Sequence, residues 1–468
     1  MMAAIIRMEA RRLLRGRWLP LLWLAFLALC AGAAWNGAAW VEQRESALAA
    51  IQEDERETQR LRRAQLADEV TPDNRTRYGG ALYATAMSLR ATLPPGELAL
   101  LTVGQAEGYP MAATIHAFSA SNTIFDRHVA GMENPSVLAA GRFDLAFVIV
   151  WLLPLMVLAG SFDLFAHERE RGMAPWLLSQ PVSPGRLLAA KAAARALLLV
   201  LPPVAILLAV LVTGGAASPA ALLLTAALVA LYALFWLALA LLVNLVAGNA
   251  AQAALGCLAG WLLLVVLLPA LALGVADLAA PPSSPTERVN ALRAQAMQAR
   301  AEARAQAAAP TGAEAQRAPN IPDSLRRRAL EVERGEHLIR AAAAPYRAQD
   351  ERRLAWLDAL RVASPAIALQ DGLERLAGAD AERALRFQDQ AHGFLLELRV
   401  LVNRYLAEDR LLTVADYDAG LPRFALREAS VGERAGALLF DAAVIALTGA
   451  ALLLAARRRL RRHTTFTE

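Results

Sequence analysis

The chain has 468 residues, of which 57% are hydrophobic and only 19% charged; this excludes an ordinary soluble enzyme and points to helices that cross lipid. The formal net charge is +5, and the excess sits beside apolar runs, where the positive-inside rule accounts for it better than nucleic-acid binding does. The two cysteines, Cys30 and Cys257, lie inside apolar runs; no disulfide framework or CxxC pair exists, and both read as packing residues.

Residues 18–41 carry no charge and are bracketed by Arg17 and Glu42, which predicts a first span (TM1). The competing reading is a signal peptide, with Arg7, Arg11, Arg12, Arg15 and Arg17 as its basic region and AGAA at 31–34 as a cleavage site. The apolar stretch is longer than a typical signal core and further spans follow, which favours a retained helix. Residues 42–71, rich in Glu, Arg, Gln and Ala, predict a helix continuing out of that span. The stretch 73–143 contains turns at Asn74, Pro94-Pro95-Gly96 and Gly108-Tyr109-Pro110, compatible with a small ordered unit.

A second apolar run, 144–163, predicts TM2, and the loop 164–192 follows it. From Ala196 to Ala276 no Asp, Glu, Lys or Arg occurs. One crossing takes about 20 residues, so this stretch holds several helices. GGAASPA (214–220) and NLVAGNAAQ (244–252) divide it into TM3 (193–213), TM4 (220–245) and TM5 (251–276). Residues 281–322 are loose and Pro-interrupted. From Asp323 a helical pattern begins, SPAIALQDGLERLAGAD (364–380) breaks it, and a further helix is expected from Ala381 to Asp409. The last span, TM6, covers 436–456, with Asp441 near one end, where it can reach the interface. The fold class is therefore an all-α polytopic membrane protein with six transmembrane helices and two long, mainly helical outer segments, 42–143 and 277–435. A basic tail, 457–468, closes the chain.

Charge orients this layout. Residues 1–18 hold five Arg and one Glu, residues 164–195 hold five basic and two acidic residues, and the tail holds five Arg and one Glu. With six spans all three fall on one side, which the rule assigns to the cytoplasm. The first outer segment has ten basic and thirteen acidic residues, and residues 278–435 of the second have 23 and 22; both fall outside. Lys191 and Arg195 are expected near the lipid headgroups.

Catalytic and cofactor motifs are missing. The sole lysine, Lys191, stands in LLAAKAAAR and not in a P-loop, so the chain shows no ATP site of its own. HERER (167–171) starts like a zinc motif, but Arg171 stands where the second histidine is needed. Outer Met87, Met111, His116, His128 and Met132 could in principle bind copper; scattered as they are, they read as surface or core residues. The spans carry almost no charge, unlike those of ion-coupled carriers. Energy is then expected from a partner protein.

The segment HERERGMAPWLLSQPVSPGRLLAAK (167–191) is the one sizeable loop on the basic side. Charge is followed by Gly172, an apolar patch around Trp176 and Leu177, and a proline turn. A short charged-and-apolar helix there can pass force to a docked partner; a plain solvated connector is the other physical reading. Its pattern resembles the signature of ABC-2 type transporter permeases: Asp163, then ERERG (168–172), WLLSQPVS (176–183), and Arg186 to Lys191. Met173 and Ala174 stand where Thr-Leu is usual. The two long outer segments resemble the DUF3526-containing subgroup, with SPAIALQDGLERLAGAD matching its Ser-Pro and Ala-Gly elements.

That resemblance implies a permease subunit, an exporter in a bacterial inner membrane with both termini cytoplasmic. It implies that residues 1–17 form an amphipathic interfacial helix, with Ile5, Ile6, Leu13 and Leu14 toward lipid. It implies an ABC ATP-binding subunit as partner and a second permease chain, identical or related. ATPase-coupling contacts would be Asp163, Glu168, Arg169, Glu170, Arg171, Gly172, Trp176, Leu177 and Arg186. No catalytic, cofactor or metal residue is expected, and the substrate is not readable. The rival functions are a membrane-anchored scaffold or sensor and an ATP-independent secondary carrier.

Overall fold

A computed structural model describes residues 2–67, 80–125, 143–166, 170, 183–215, 218–281, 320–429 and 431–464, together with short helical pieces between 290 and 305. Helices dominate. Five helical stretches are long and apolar enough to cross a membrane: Trp18–Ala67, Gly185–Thr213, Pro219–Val246, Ala250–Ala279 and Glu433–Arg461; Leu145–Ala159 is apolar but shorter.

Helix α1 (Met2–Arg15) is followed by α2, which runs unbroken from Trp18 to Ala67. Its 50 residues span about 75 Å, more than twice a hydrocarbon core of about 30 Å. Its apolar first half and charged second half are thus one rod. Beyond it, strands β1 (Ser88–Thr92) and β2 (Ala112–His116) pair antiparallel, with Ser88 opposite His116 and Thr92 opposite Ala112. The charged end of α2 holds this hairpin: the Asp54 carboxylate meets Arg90 at 2.9 Å, and the Arg90 amide donates to Glu55 at 3.0 Å.

Helix α3 (Leu145–Ala159) stops four residues short of the end expected for TM2. At its start Asp144 accepts from the Phe147 amide at 2.8 Å, Thr102 Oγ1 at 2.7 Å and the Val103 amide at 3.1 Å. At its end the chain turns through Gly160–Phe165. Backbone groups freed in this way need partners inside lipid. Asn244 supplies them: its Oδ1 accepts from the Phe165 and Ala166 amides at 3.1 and 3.2 Å, and its Nδ2 donates to Ser161 O at 3.1 Å.

The apolar stretch Gly185–Thr213 is two helices, α4 (Pro184–Leu199) and α5 (Leu201–Thr213), broken at Val200. Pro202 and Pro203 have no N–H and their rings crowd the preceding turn. The carbonyl of Leu198, four residues before Pro202, is taken instead by Trp23 Nε1 at 3.0 Å. Helix α6 (Pro219–Val246) is capped by Ser218, and α7 (Ala250–Ala279) by Asn249, which accepts from the Gln252 amide at 2.8 Å. Both α3 and α7 contain a wide turn, Val148–Leu152 and Leu262–Leu267, and Trp261 Nε1 donates across to Trp151 O at 3.1 Å.

The second long segment does not stay above the bundle. Helix α8 (Asp323–Leu360) starts where the sequence predicts, then descends beside α7: Arg353 meets Asp277 at 2.6 Å. The stretch expected only to interrupt the helical pattern forms α9 (Pro365–Ala377). Its cap residue Ser364 donates its hydroxyl to Leu264 O, halfway along α7. Ala366, Ala368, Leu369, Leu373 and Ala377 join the core of the membrane helices. Gly372 permits the approach, because a Cβ there would lie 2.7 Å from Leu228 of α6. Gly378 then ends α9 at a positive φ of 65°.

Helix α10 (Ala381–Ala407) packs on the hairpin in a second core that includes Leu89, Ile115, Phe387, Phe394, Leu398 and Val402. After the short α11 (Val414–Asp418), α12 (Val431–Thr464) crosses back beside α6 and α9. Asp441 of α12 does not reach an interface. It is wholly buried, 3.0 Å from Arg375 and 3.4 Å from Arg361, because α9 brings those guanidiniums down to it. Cys30 and Cys257 are buried free thiols in the main core.

Candidate functional site

Three basic stretches gather at the end of the bundle opposite the hairpin. Leu164, Phe165, Leu188, Leu245 and Ala456 form one small core there, with Leu460 against it. Leu13 of α1 packs with Leu19, Leu198 and Leu199 in another. Residues of α1, the end of α3, the start of α4 and the last turns of α12 thus contribute to two small cores at this end.

Arg195 of α4 organises this end. Its Nη1 donates to Glu9 at 2.7 Å, its Nη2 to Asp163 at 3.1 Å, and its Nε to Gly160 O at 3.1 Å. Arg195 and Glu9 are 1% and 2% exposed. Two carboxylates converge on one guanidinium, whose planar fork suits several acceptors at once; Arg12, 3.7 Å from Glu9, adds a second positive charge at the rim. Nearby, Lys191 Nζ donates to Leu164 O at 3.4 Å. Lys191 and Arg195 were expected near headgroups; both are instead turned into the protein, where carbonyls freed by the end of α3 need donors. This fastens α1, the terminus of α3 and α4 into one unit.

Of the expected coupling residues, Asp163 sits in this cluster. Glu170 accepts from the Ala250 amide at 3.4 Å, at the N-terminus of α7, where the helix dipole favours a carboxylate. Arg186 lies exposed in the first turn of α4. Glu168, Arg169, Arg171, Gly172, Trp176 and Leu177 lie outside the described residues. The structure thus brings Asp163 to Arg195, and holds Glu170 and Arg186 at the same end of the bundle.

Sequence reasoning missed Glu9 and Arg195 as partners. A signal existed: Glu9 is the only acid among residues 1–18, four residues before Leu13 on the same helix face. The expected lipid-facing stripe of α1 is also only partly so. Leu14 is exposed, Ile5 and Ile6 are half-buried, and Leu13 is buried in protein.

Among the described residues no group of three or more His, Cys, Asp or Glu is placed to hold a metal ion. A search of curated proteins finds no match. A family model described as "ABC-2 family transporter protein" matches residues 3–387, from the first turn of α1 into α10. Such permeases work with an ATP-binding subunit, which agrees with apolar crossing helices bearing a clamped, basic end. The chain belongs to the ABC-2 family of transporter proteins.

Proposed function

We propose that this chain is the membrane-spanning subunit of an ABC-2 exporter driven by a separate ATPase, and that 164–192 is its coupling segment. The observation that carries the reading is the Glu9–Arg195–Asp163 cluster. It ties the base of that segment to α1 and α4, so a displacement imposed on the segment moves three elements together. The charges of 168–171 would make the ATPase contacts, with Trp176 and Leu177 as the apolar part. The basic end then faces the cytoplasm of a bacterial inner membrane, with both termini inside. The two long segments face outward, in the layout of the DUF3526 subgroup. Two permease chains, identical or related, would flank one pathway.

One observation favours the rival secondary carrier. Asp441 is an ionisable residue buried in a crossing helix, the kind that marks ion pathways. It is, however, held by two arginines from the protein's own α9 region, as expected of a structural anchor.

The test is co-expression with a candidate ABC ATP-binding subunit, and reconstitution. Glu168→Arg with Glu170→Arg should abolish permease-stimulated ATP hydrolysis while the chain still reaches the membrane. Unchanged stimulation, or transport that persists without ATP, would overturn the reading.

A further inference from the structure

At the end of the bundle that carries the hairpin, a cavity of about 800 Å³ opens between α3, α7, α8, α9 and α10. That volume is in the range of sites for drug-sized molecules, about 300–1,000 Å³. Its deep wall is aromatic and aliphatic. Phe147 and Trp151 stack there with ring centres 5.7 Å apart and planes 15° from parallel, beside Val265, Pro269 and Ile367.

Seven acidic side chains line it, against two arginines. The arginines are already matched. Arg361 and Arg375 each lie within 4 Å of all three of Asp358, Asp371 and Asp441, at 2.9–3.6 Å. Three carboxylates thus share two guanidiniums, and the wholly buried Oδ1 of Asp441 accepts no hydrogen bond among the described residues. Three further carboxylates on the wall have neutral donors. Asp144 accepts from two amides and a hydroxyl. Asp380 accepts from the Arg383 amide. Glu374, 7% exposed, accepts from Gln370 at 2.7 Å and Gln105 at 3.2 Å.

A partly enclosed space with surplus negative charge and aromatic rings on its wall attracts cations, both directly and through the aromatic quadrupole. A bare metal ion needs several oxygens converging on one point, and no such group occurs among the described residues. The apolar wall instead suits a charge carried on a hydrophobic frame. We propose that this cavity binds an amphipathic organic cation, with its charge toward Glu374 and Asp380 and its apolar body against Phe147 and Trp151. Burial pushes the Glu374 carboxyl up to about 7, so the site strengthens as pH rises above that value.

The proposal requires neither nucleotide nor a partner, so it can fail independently of the transport reading. The purified chain in nanodiscs of zwitterionic lipid is titrated at pH 8 with tetraphenylphosphonium by equilibrium dialysis, with empty discs subtracted. The anionic isostere tetraphenylborate is the comparison. Saturable binding of one cation per chain is expected, with borate neither binding there nor competing. Trp151→Leu combined with Glu374→Gln should weaken binding by about tenfold or more. Ala355→Trp places an indole at the exposed α8 wall without removing a buried contact, and should block the site in a chain that still folds. Non-saturable uptake, equal binding of the borate, or full affinity in the Ala355→Trp chain would overturn the proposal.

Discussion

Arg195 of α4 and Glu9 of α1 meet at 2.7 Å with almost no solvent access to either, across 186 residues of sequence. Such a pair is costly to break from one side, because the surviving charge stays buried; removing one partner typically costs about 3–5 kcal/mol. Arg195→Leu takes the guanidinium from both Glu9 and Asp163, leaving buried Glu9 only Arg12 at 3.7 Å, and should lower stability by about that amount. Glu9→Gln leaves Arg195 its bond to Asp163 and should cost less than half as much. Thiol-reactive dye unfolding can read both, since Cys30 and Cys257 are buried until the bundle opens.

Trp23 serves a carbonyl that Pro202 leaves open. Trp23→Phe keeps an aromatic ring, though a smaller one, and abandons the Leu198 carbonyl, at a cost of about 1–3 kcal/mol. In a Pro202→Ala background the new amide can bond Leu198 within the helix, so the same Trp23→Phe change should cost markedly less. A double-mutant cycle of melting temperatures with no coupling between the two sites would refute this account of the α4–α5 break.

The five-charge group around Asp441 should respond asymmetrically. Asp441→Asn leaves two aspartates facing two arginines, a balanced set, and should cost about 1–2 kcal/mol. Arg375→Ala leaves three carboxylates around one guanidinium, and should cost about 3–5 kcal/mol. Denaturation in the same detergent ranks the pair; a larger loss for Asp441→Asn would contradict the charge count.

Glu374 gives stability a pH signature. Its carboxyl is raised from 4.5 to about 7, by burial first and by nearby Asp371 and Asp144 in addition. Between those values the folded chain holds a proton that the unfolded chain has lost, so stability falls as pH rises from about 4.5 to 7 and stays lower above. Glu374→Gln removes this dependence. Its melting temperature should exceed that of the unaltered chain at pH 8 and match it near pH 4.5, a comparison that one pair of melting curves supplies.

The crossings were legible because hydropathy is a local property: the apolar runs, the start of α8 at Asp323 and the long α10 all follow from composition and periodicity. Partnerships between distant residues were not. Nothing around SPAIALQDGLERLAGAD distinguishes a surface helix from one packed against α6 and α12, because Ala, Leu and Arg serve both places and Gly372 matters only once Leu228 is beside it. Asp441 likewise reads as an interfacial residue until Arg361 and Arg375 are brought to it. Arg195 reads as a headgroup anchor until Glu9 folds back over α4. The early end of α3 was hidden for the same reason, since Asn244, which satisfies the loosened backbone, is 78 and 79 residues away from the amides it serves.

The uninterrupted α2 turns a small rotation into a large excursion. A rod of about 75 Å that leans by about 10° carries its tip through roughly 13 Å. The hairpin rides about three quarters of the way along the rod through Asp54 and Glu55. Whatever tilts the apolar half therefore swings the hairpin too, with no hinge to absorb the stroke, and the far end of the molecule becomes a pointer that reports on the near one.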